Sequence, residues 1–82
     1  MSQTKQTEEN NRETITITTE YIKLQELLKL AGVVYTGGEA KVLIQEGAVT
    51  VNGAVCTQRG KKLRPGDTVR MGDAALTVQY AD

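Results

Sequence analysis

Thr36-Gly37-Gly38-Glu39-Ala40-Lys41-Val42-Leu43-Ile44-Gln45-Glu46-Gly47, followed by Ala48-Val49-Thr50-Val51-Asn52-Gly53, contains the change of period on which the fold turns. In the first segment Ala40, Leu43 and Ile44 recur at helical spacing and form one apolar stripe. Thr36 is a good N-cap and Glu39 follows three residues later, the spacing of a capping box. Gly47 ends the helix. From Ala48 the period drops to two: Val49 and Val51 alternate with Thr50, which reads as a strand. Asn52-Gly53 is then the strongest two-residue hairpin signal, and it leads into Ala54-Val55-Cys56.

Working outward, residues 21–31 hold an earlier helix. Leu24, Leu27, Leu28 and Ala31 make its stripe, with Lys23, Gln25, Glu26 and Lys29 on the other side. Its expected start is Thr19 or Glu20, and Gly32 is its natural stop. Two short helices joined by about five residues predict a helical hairpin with one shared apolar seam. Upstream, Thr14-Ile15-Thr16-Ile17-Thr18 alternates as a short strand, expected at a sheet edge because its Ile residues cover one face. Residues 1–13 are polar, and with no apolar residue after Met1 they are expected to form a disordered acidic tail. Downstream, residues 57–62 read as a polar, basic loop and Arg64-Pro65-Gly66-Asp67 as a turn. Val69 and Met71 mark another strand, Gly72-Asp73 a tight turn, and Leu76, Val78 and Tyr80 the last strand. The expected class is α+β: a helix hairpin packed on a small antiparallel sheet with a short N-terminal strand, in one domain over residues 14–82.

Composition narrows the chemistry. The 82 residues contain no His, no Trp, no Phe and a single Cys, so a His-dependent triad or a structural zinc site has no ligands to use. Cys56 has no partner for an intramolecular disulfide, which favours a reducing compartment, and it reads as a small buried apolar residue in its strand. Glu39 and Asp67 are explained as cap and turn, and no second carboxylate accompanies either, so acid–base catalysis has no support. No apolar run approaches the ~20 residues of a membrane span. No cofactor, metal or membrane is expected, and the expected state is a cytoplasmic monomer.

The formal charge of zero hides a partition. Residues 1–22 set Lys5 and Arg12 against four Glu, a net of −2; residues 23–64 set seven Lys and Arg against three Glu, a net of +4; residues 65–82 set Arg70 against three Asp, a net of −2. The middle of the chain is basic. Lys23 opens the first helix, Lys41 and Gln45 share a face of the second, and Arg59, Lys61, Lys62 and Arg64 cluster in the loop after the hairpin. If that loop folds back beside the second helix, a continuous positive surface forms, suited to phosphates and sugars rather than base edges. Gly37-Gly38 either exposes amides at a helix N-terminus, where anions are favoured, or merely allows a sharp turn or close packing. No Lys-Ser/Thr pair follows them as a P-loop requires. Tyr21 and Tyr35 flank the first helix, where they either stack a base or, the favoured reading, serve as partial core or rim residues.

These same residues carry a resemblance. Lys23-Leu24-Gln25-Glu26-Leu27-Leu28, Gly32, the segment 36–47, Val49-Thr50-Val51-Asn52-Gly53 and Gly66-Asp67-Thr68-Val69 together resemble the S4 RNA-binding domain over about residues 21–71. The Thr-Gly-Gly turn is most similar to short stand-alone S4-like proteins of the YaaA/YbcJ type. The resemblance implies a bacterial RNA-binding module whose helix hairpin and post-hairpin loop face structured RNA, such as rRNA or a tRNA-like fold. Position by position, Lys23 stands where the family usually has Arg, Thr36 where it has Ser, and Lys41 where it has Arg or Lys. Asn52 and Gly53 match the hairpin. Gly37 departs from a common Arg, and the implied replacement is the backbone amides of Gly37 and Gly38. The expected function is non-catalytic docking on structured RNA, including a ribosomal particle. The alternative is a protein-interaction adaptor in ribosome assembly or translation, using exposed apolar residues such as Val34 or Tyr35. A free-phosphate sensor at Gly37-Gly38 is a more distant reading.

Overall fold

The computed structural model describes residues 12–81. Most of the expected tail, residues 1–11, lies outside the described residues. Arg12 and Glu13 do not belong to a tail: they open the first strand.

The elements in chain order are β1 (Arg12–Ile17), β2 (Ile22–Lys23), α1 (Leu24–Leu30), α2 (Gly37–Gln45), β3 (Val49–Val51), β4 (Ala54–Val55), β5 (Lys62–Leu63), β6 (Thr68–Met71) and β7 (Ala74–Tyr80). Five strands form one sheet in the order β1-β7-β6-β3-β4, while β2 and β5 pair separately as a short antiparallel ribbon. The fold is α+β, as the sequence implies, but the main sheet is mixed. β1 lies at an edge and runs parallel to β7, with Ile15 opposite Val78 and Ile17 opposite Tyr80. A parallel pairing needs a crossover between the strands, and here everything from β2 to β6, the helical hairpin included, lies between them.

Alternation sets which face is buried. Ile15 and Ile17 of β1, Leu76 and Val78 of β7, Val69 of β6, and Val49 and Val51 of β3 all point inward. Leu24, Leu27 and Leu28 of α1 and Ala40 and Ile44 of α2 complete the core with Leu63 and Val34. No polar side chain is buried among the described residues. In so small a core each large aliphatic side chain is worth about 2–5 kcal/mol against truncation to Ala.

Several boundaries differ from the sequence reading. The first helix begins at Leu24, not near residue 21, because Ile22 and Lys23 are extended and paired with β5. Its N-cap is Lys23, which makes no side-chain capping bond; neither Thr19 nor Glu20 serves. Val34, expected on the surface, is 1% exposed in the loop between the helices, whereas Tyr35 beside it is 86% exposed. Cys56 lies just past β4 and is half-buried rather than a core residue, its thiol donating to the Gln58 carbonyl at 3.7 Å. The hairpin and the Pro turn form as expected. Asn52 and Gly53 both have positive φ (51° and 88°), the pattern of a type I′ turn. Gly66 at φ 98° follows Pro65 in the place that a type II turn reserves for Gly.

Candidate nucleic-acid interface

The basic loop does not fold beside the second helix. It folds against the start of the first. The Lys61 carbonyl accepts the Leu24 amide at 2.9 Å and the Arg59 carbonyl accepts the Gln25 amide at 3.1 Å. Both amides belong to the first turn of α1, where a helix has no acceptor of its own. Loop carbonyls therefore replace the missing side-chain cap, and they draw residues 59–63 to this end of the helix. The β2–β5 ribbon continues the seam, pairing Ile22 with Leu63 and Lys23 with Lys62. Leu63 is fully buried and anchors the loop in the core.

Lys23 and Lys62 are thus cross-strand neighbours of like charge. Such pairs are destabilising on their own. Tyr21 lies beside them: Lys62 Nζ is 4.9 Å and the Arg64 guanidinium carbon 5.9 Å from its ring centroid, within range of cation–π attraction. The half-buried ring holds two flexible cations over one spot. By sequence Tyr21 reads as a partial core or rim residue, because nothing local in the chain reveals that residues 62 and 64 return to it. The only ion pair among the described residues is Lys29–Glu26 at 3.8 Å; Glu26 stands in the first turn of α1 and lines an open concavity with Tyr21 and Lys23. Lys23, Arg59, Lys61, Lys62 and Arg64 have no carboxylate within salt-bridge distance among the described residues, and all are exposed. Beside Lys61, an open cleft of about 390 Å³ runs along the hairpin past Asn52, Cys56 and Gln58.

Asp67, which feels the charges of Lys61 and Arg64, is tied to the scaffold. Its Oδ2 accepts the Arg64 amide at 2.8 Å and its Oδ1 accepts the Asn52 side-chain amide at 3.1 Å. The Arg64 N–H bond holds its carboxyl below the usual range, with smaller help from Asn52, Lys61 and Arg64 charge, against a partial desolvation that works the other way. Asn52 also accepts the Thr68 amide through Oδ1 at 2.9 Å. Both ends of the Asn52 side chain are therefore committed to bracing the hairpin against the Pro turn.

The second helix is capped by its own residues. Thr36 Oγ1 accepts the Glu39 amide at 3.0 Å, and Glu39 Oε1 accepts the amide of Tyr35 at 2.8 Å. The capping box is shifted by one residue, since Tyr35 rather than Thr36 receives the Glu39 carboxylate. A Cβ on Gly37 would meet nothing within 4 Å, and one on Gly38 only Thr36 Oγ1 at 3.9 Å, so close packing does not explain these glycines. Among the described residues, neither the Gly37 nor the Gly38 amide has an acceptor. The Glu39 carboxylate already answers part of the helix dipole, which leaves the cations around α1 as the stronger anion site. Lys41 and Gln45 are exposed on α2, and no hydrogen bond or ion pair among the described residues joins them to that cluster.

The S4 domain profile matches residues 15–79, nearly the whole described chain. The chain belongs to the S4 domain family. A relative from Bacillus subtilis, named as a probable ribosome maturation protein, RlbA, is 46% identical over 57 residues, covering 70% of this chain and 80% of its own. The putative RNA-binding protein YbcJ of Escherichia coli is 40% identical over 58 residues, covering 71% and 83%. The solution structure of E. coli YbcJ, described as revealing an αL motif involved in RNA binding, superposes with a TM-score of 0.64 at 36% identity, over 80% of this chain and 85% of that one. This S4 chain therefore shares its αL fold with short stand-alone members of the family. No described helix is long and apolar enough to cross a membrane.

Proposed function

We propose that the protein is a non-catalytic RNA-binding module that docks on structured RNA, rRNA or a ribosomal particle in the cytoplasm, through the cationic end of α1. One observation carries this reading: Lys62 and Arg64 gather over the Tyr21 ring with Lys23 across the ribbon from Lys62, Arg59 and Lys61 lie in the same loop, and none has an acid within salt-bridge distance among the described residues. Assembling like charges costs energy in the free protein and is repaid when a phosphate backbone neutralises them. Lys41, Gln45 and the free amides of Gly37 and Gly38 extend the contact along α2, with Thr36 setting the geometry of that turn. Asn52 acts by holding the hairpin in place. The names of the B. subtilis and E. coli relatives support RNA as the ligand class and a ribosomal RNA as its source.

Contacts of this kind position the protein and read backbone shape, so affinity rather than sequence preference is the quantity to measure. Lys41→Glu combined with Lys62→Glu weakens binding of a folded rRNA fragment at least tenfold while leaving the melting curve unchanged. Undiminished binding by that variant overturns the reading. A protein partner would instead engage the exposed apolar residues Tyr35, Leu30 and Val42, and Val34 is excluded from such a surface by its burial.

A further inference from the structure

The side of the main sheet turned away from the core carries charges that the α1 site does not use. Strand alternation puts Ile15, Val69 and Leu76 inward, and so turns Arg12, Thr14, Thr68, Arg70, Ala75 and Thr77 outward. Register then lines them up across three strands. Arg12 stands opposite Ala75, and Ala75 opposite Arg70, so two arginines flank one alanine in a single row. In the adjacent row Thr14 stands opposite Thr77 and Thr77 opposite Thr68, three hydroxyls side by side.

We propose that this outer face is a second phosphate-binding site, taking a second stretch of RNA backbone so that the protein bridges two RNA segments; the choice of RNA as ligand rests on the reading above. Two strand spacings of about 4.8 Å place the Arg12 and Arg70 Cα atoms roughly 10 Å apart. Both side chains line one shallow concavity of about 330 Å³, whose floor is Ala75 and whose wall is the threonine row. A larger residue than Ala at the centre would fill the gap; Ala leaves room for an oxyanion between two guanidinium forks, the geometry that Arg supplies bidentately to phosphate. The three hydroxyls make no hydrogen bond to protein among the described residues, which leaves them free to donate. Glu13 touches the rim, but alternation sends its side chain toward the opposite face, and among the described residues no carboxylate lies within salt-bridge distance of Arg12 or Arg70. The α1 cluster grows from the helical layer, while these residues lie on the face of the sheet turned away from it.

The test uses the full chain and a short RNA hairpin at low salt, with stoichiometry read by native mass spectrometry and the site read from the backbone amide shifts of Thr14, Arg70 and Thr77. Two equivalents bind the natural protein, the second moving those three amides. Arg12→Glu with Arg70→Glu weakens the second equivalent about tenfold or more and leaves the first within twofold. Arg70→Gln gives the same direction with a smaller loss, should reversal of both charges loosen the edge strand. Lys23→Glu with Lys62→Glu does the converse, losing the first equivalent and keeping the second. A single equivalent for the natural protein, or a second that survives the arginine changes, overturns the inference and leaves the α1 reading standing. Binding insensitive to both pairs overturns that reading too. Inorganic phosphate that shifts the three amides when the hairpin does not makes this a free-phosphate site and overturns the assignment to RNA.

Discussion

The two helices begin in opposite ways, and the contrast explains how the protein makes a surface. The start of α2 is self-sufficient: Thr36 and Glu39, three residues apart, satisfy the amides of Glu39 and Tyr35. The start of α1 has no such device. Its first amides are satisfied by carbonyls of residues 59 and 61, more than thirty positions downstream. The local cap fixes only its own helix. The distant one fixes the helix and, in the same contacts, the place of the basic loop. What the α1 terminus lacks in its own sequence is what brings Arg59, Lys61 and Lys62 to Lys23.

The sharpest way to break this contrast is to release the loop. Leu63→Ala removes the buried anchor of β5 and lowers unfolding free energy by about 2–5 kcal/mol in chemical denaturation. A loss below about 1 kcal/mol would mean that the ribbon is peripheral. Truncating the local cap is milder: Thr36→Ala lowers stability by about 1 kcal/mol, measured the same way, with the Glu39 amide left without its acceptor. A smaller effect is expected at Tyr21. Tyr21→Ala frees Lys62 and Arg64 and weakens RNA binding by about threefold to tenfold, whereas Tyr21→Phe, which keeps the ring, stays near the natural affinity. Equal losses for both variants would show that the hydroxyl, not the ring, matters. The smallest effect concerns Asp67. Because its folded-state pKa lies below the ordinary value of 3.8, its contribution is present above that value and is lost as pH falls through the lower, folded-state value. Asp67→Asn therefore flattens part of the acid limb of the stability–pH curve below about pH 4, and an unchanged limb would remove Asp67 from the account.

The same division between local and distant contacts explains what could be read from the chain. The α2 cap, the type I′ hairpin at Asn52-Gly53, the turn at Pro65-Gly66 and the buried stripes of both helices are set by neighbours within a few residues, and each was legible. Membership of the S4 family was legible too, because its motifs are such local strings. The early expected start of α1 failed because Ile22 and Lys23 answer to Leu63 and Lys62, a pairing that no periodicity reports. Val34 sits in a connection that reads as exposed, yet its amide reaches back to the Leu28 carbonyl at 3.4 Å and its side chain is buried in the core. The direction of β1 was hidden for a related reason: an alternating edge strand looks alike whether it pairs parallel or antiparallel. In the candidate site, the charged residues were legible as a group and their meeting place was not. The loop was expected at α2, and the helix that needed a cap determined otherwise.

The most direct test of that meeting place is the salt dependence of RNA affinity. With about four phosphate contacts, log K against log salt concentration falls with a slope near −3 for the natural protein, taking the single-strand coefficient of ~0.7 per contact as a floor. Lys23→Ala with Lys62→Ala removes two of them, and the account predicts a slope shallower by about 1.4. A slope that the double variant leaves unchanged would contradict it, and would show that RNA does not meet the protein where α1 and the basic loop join.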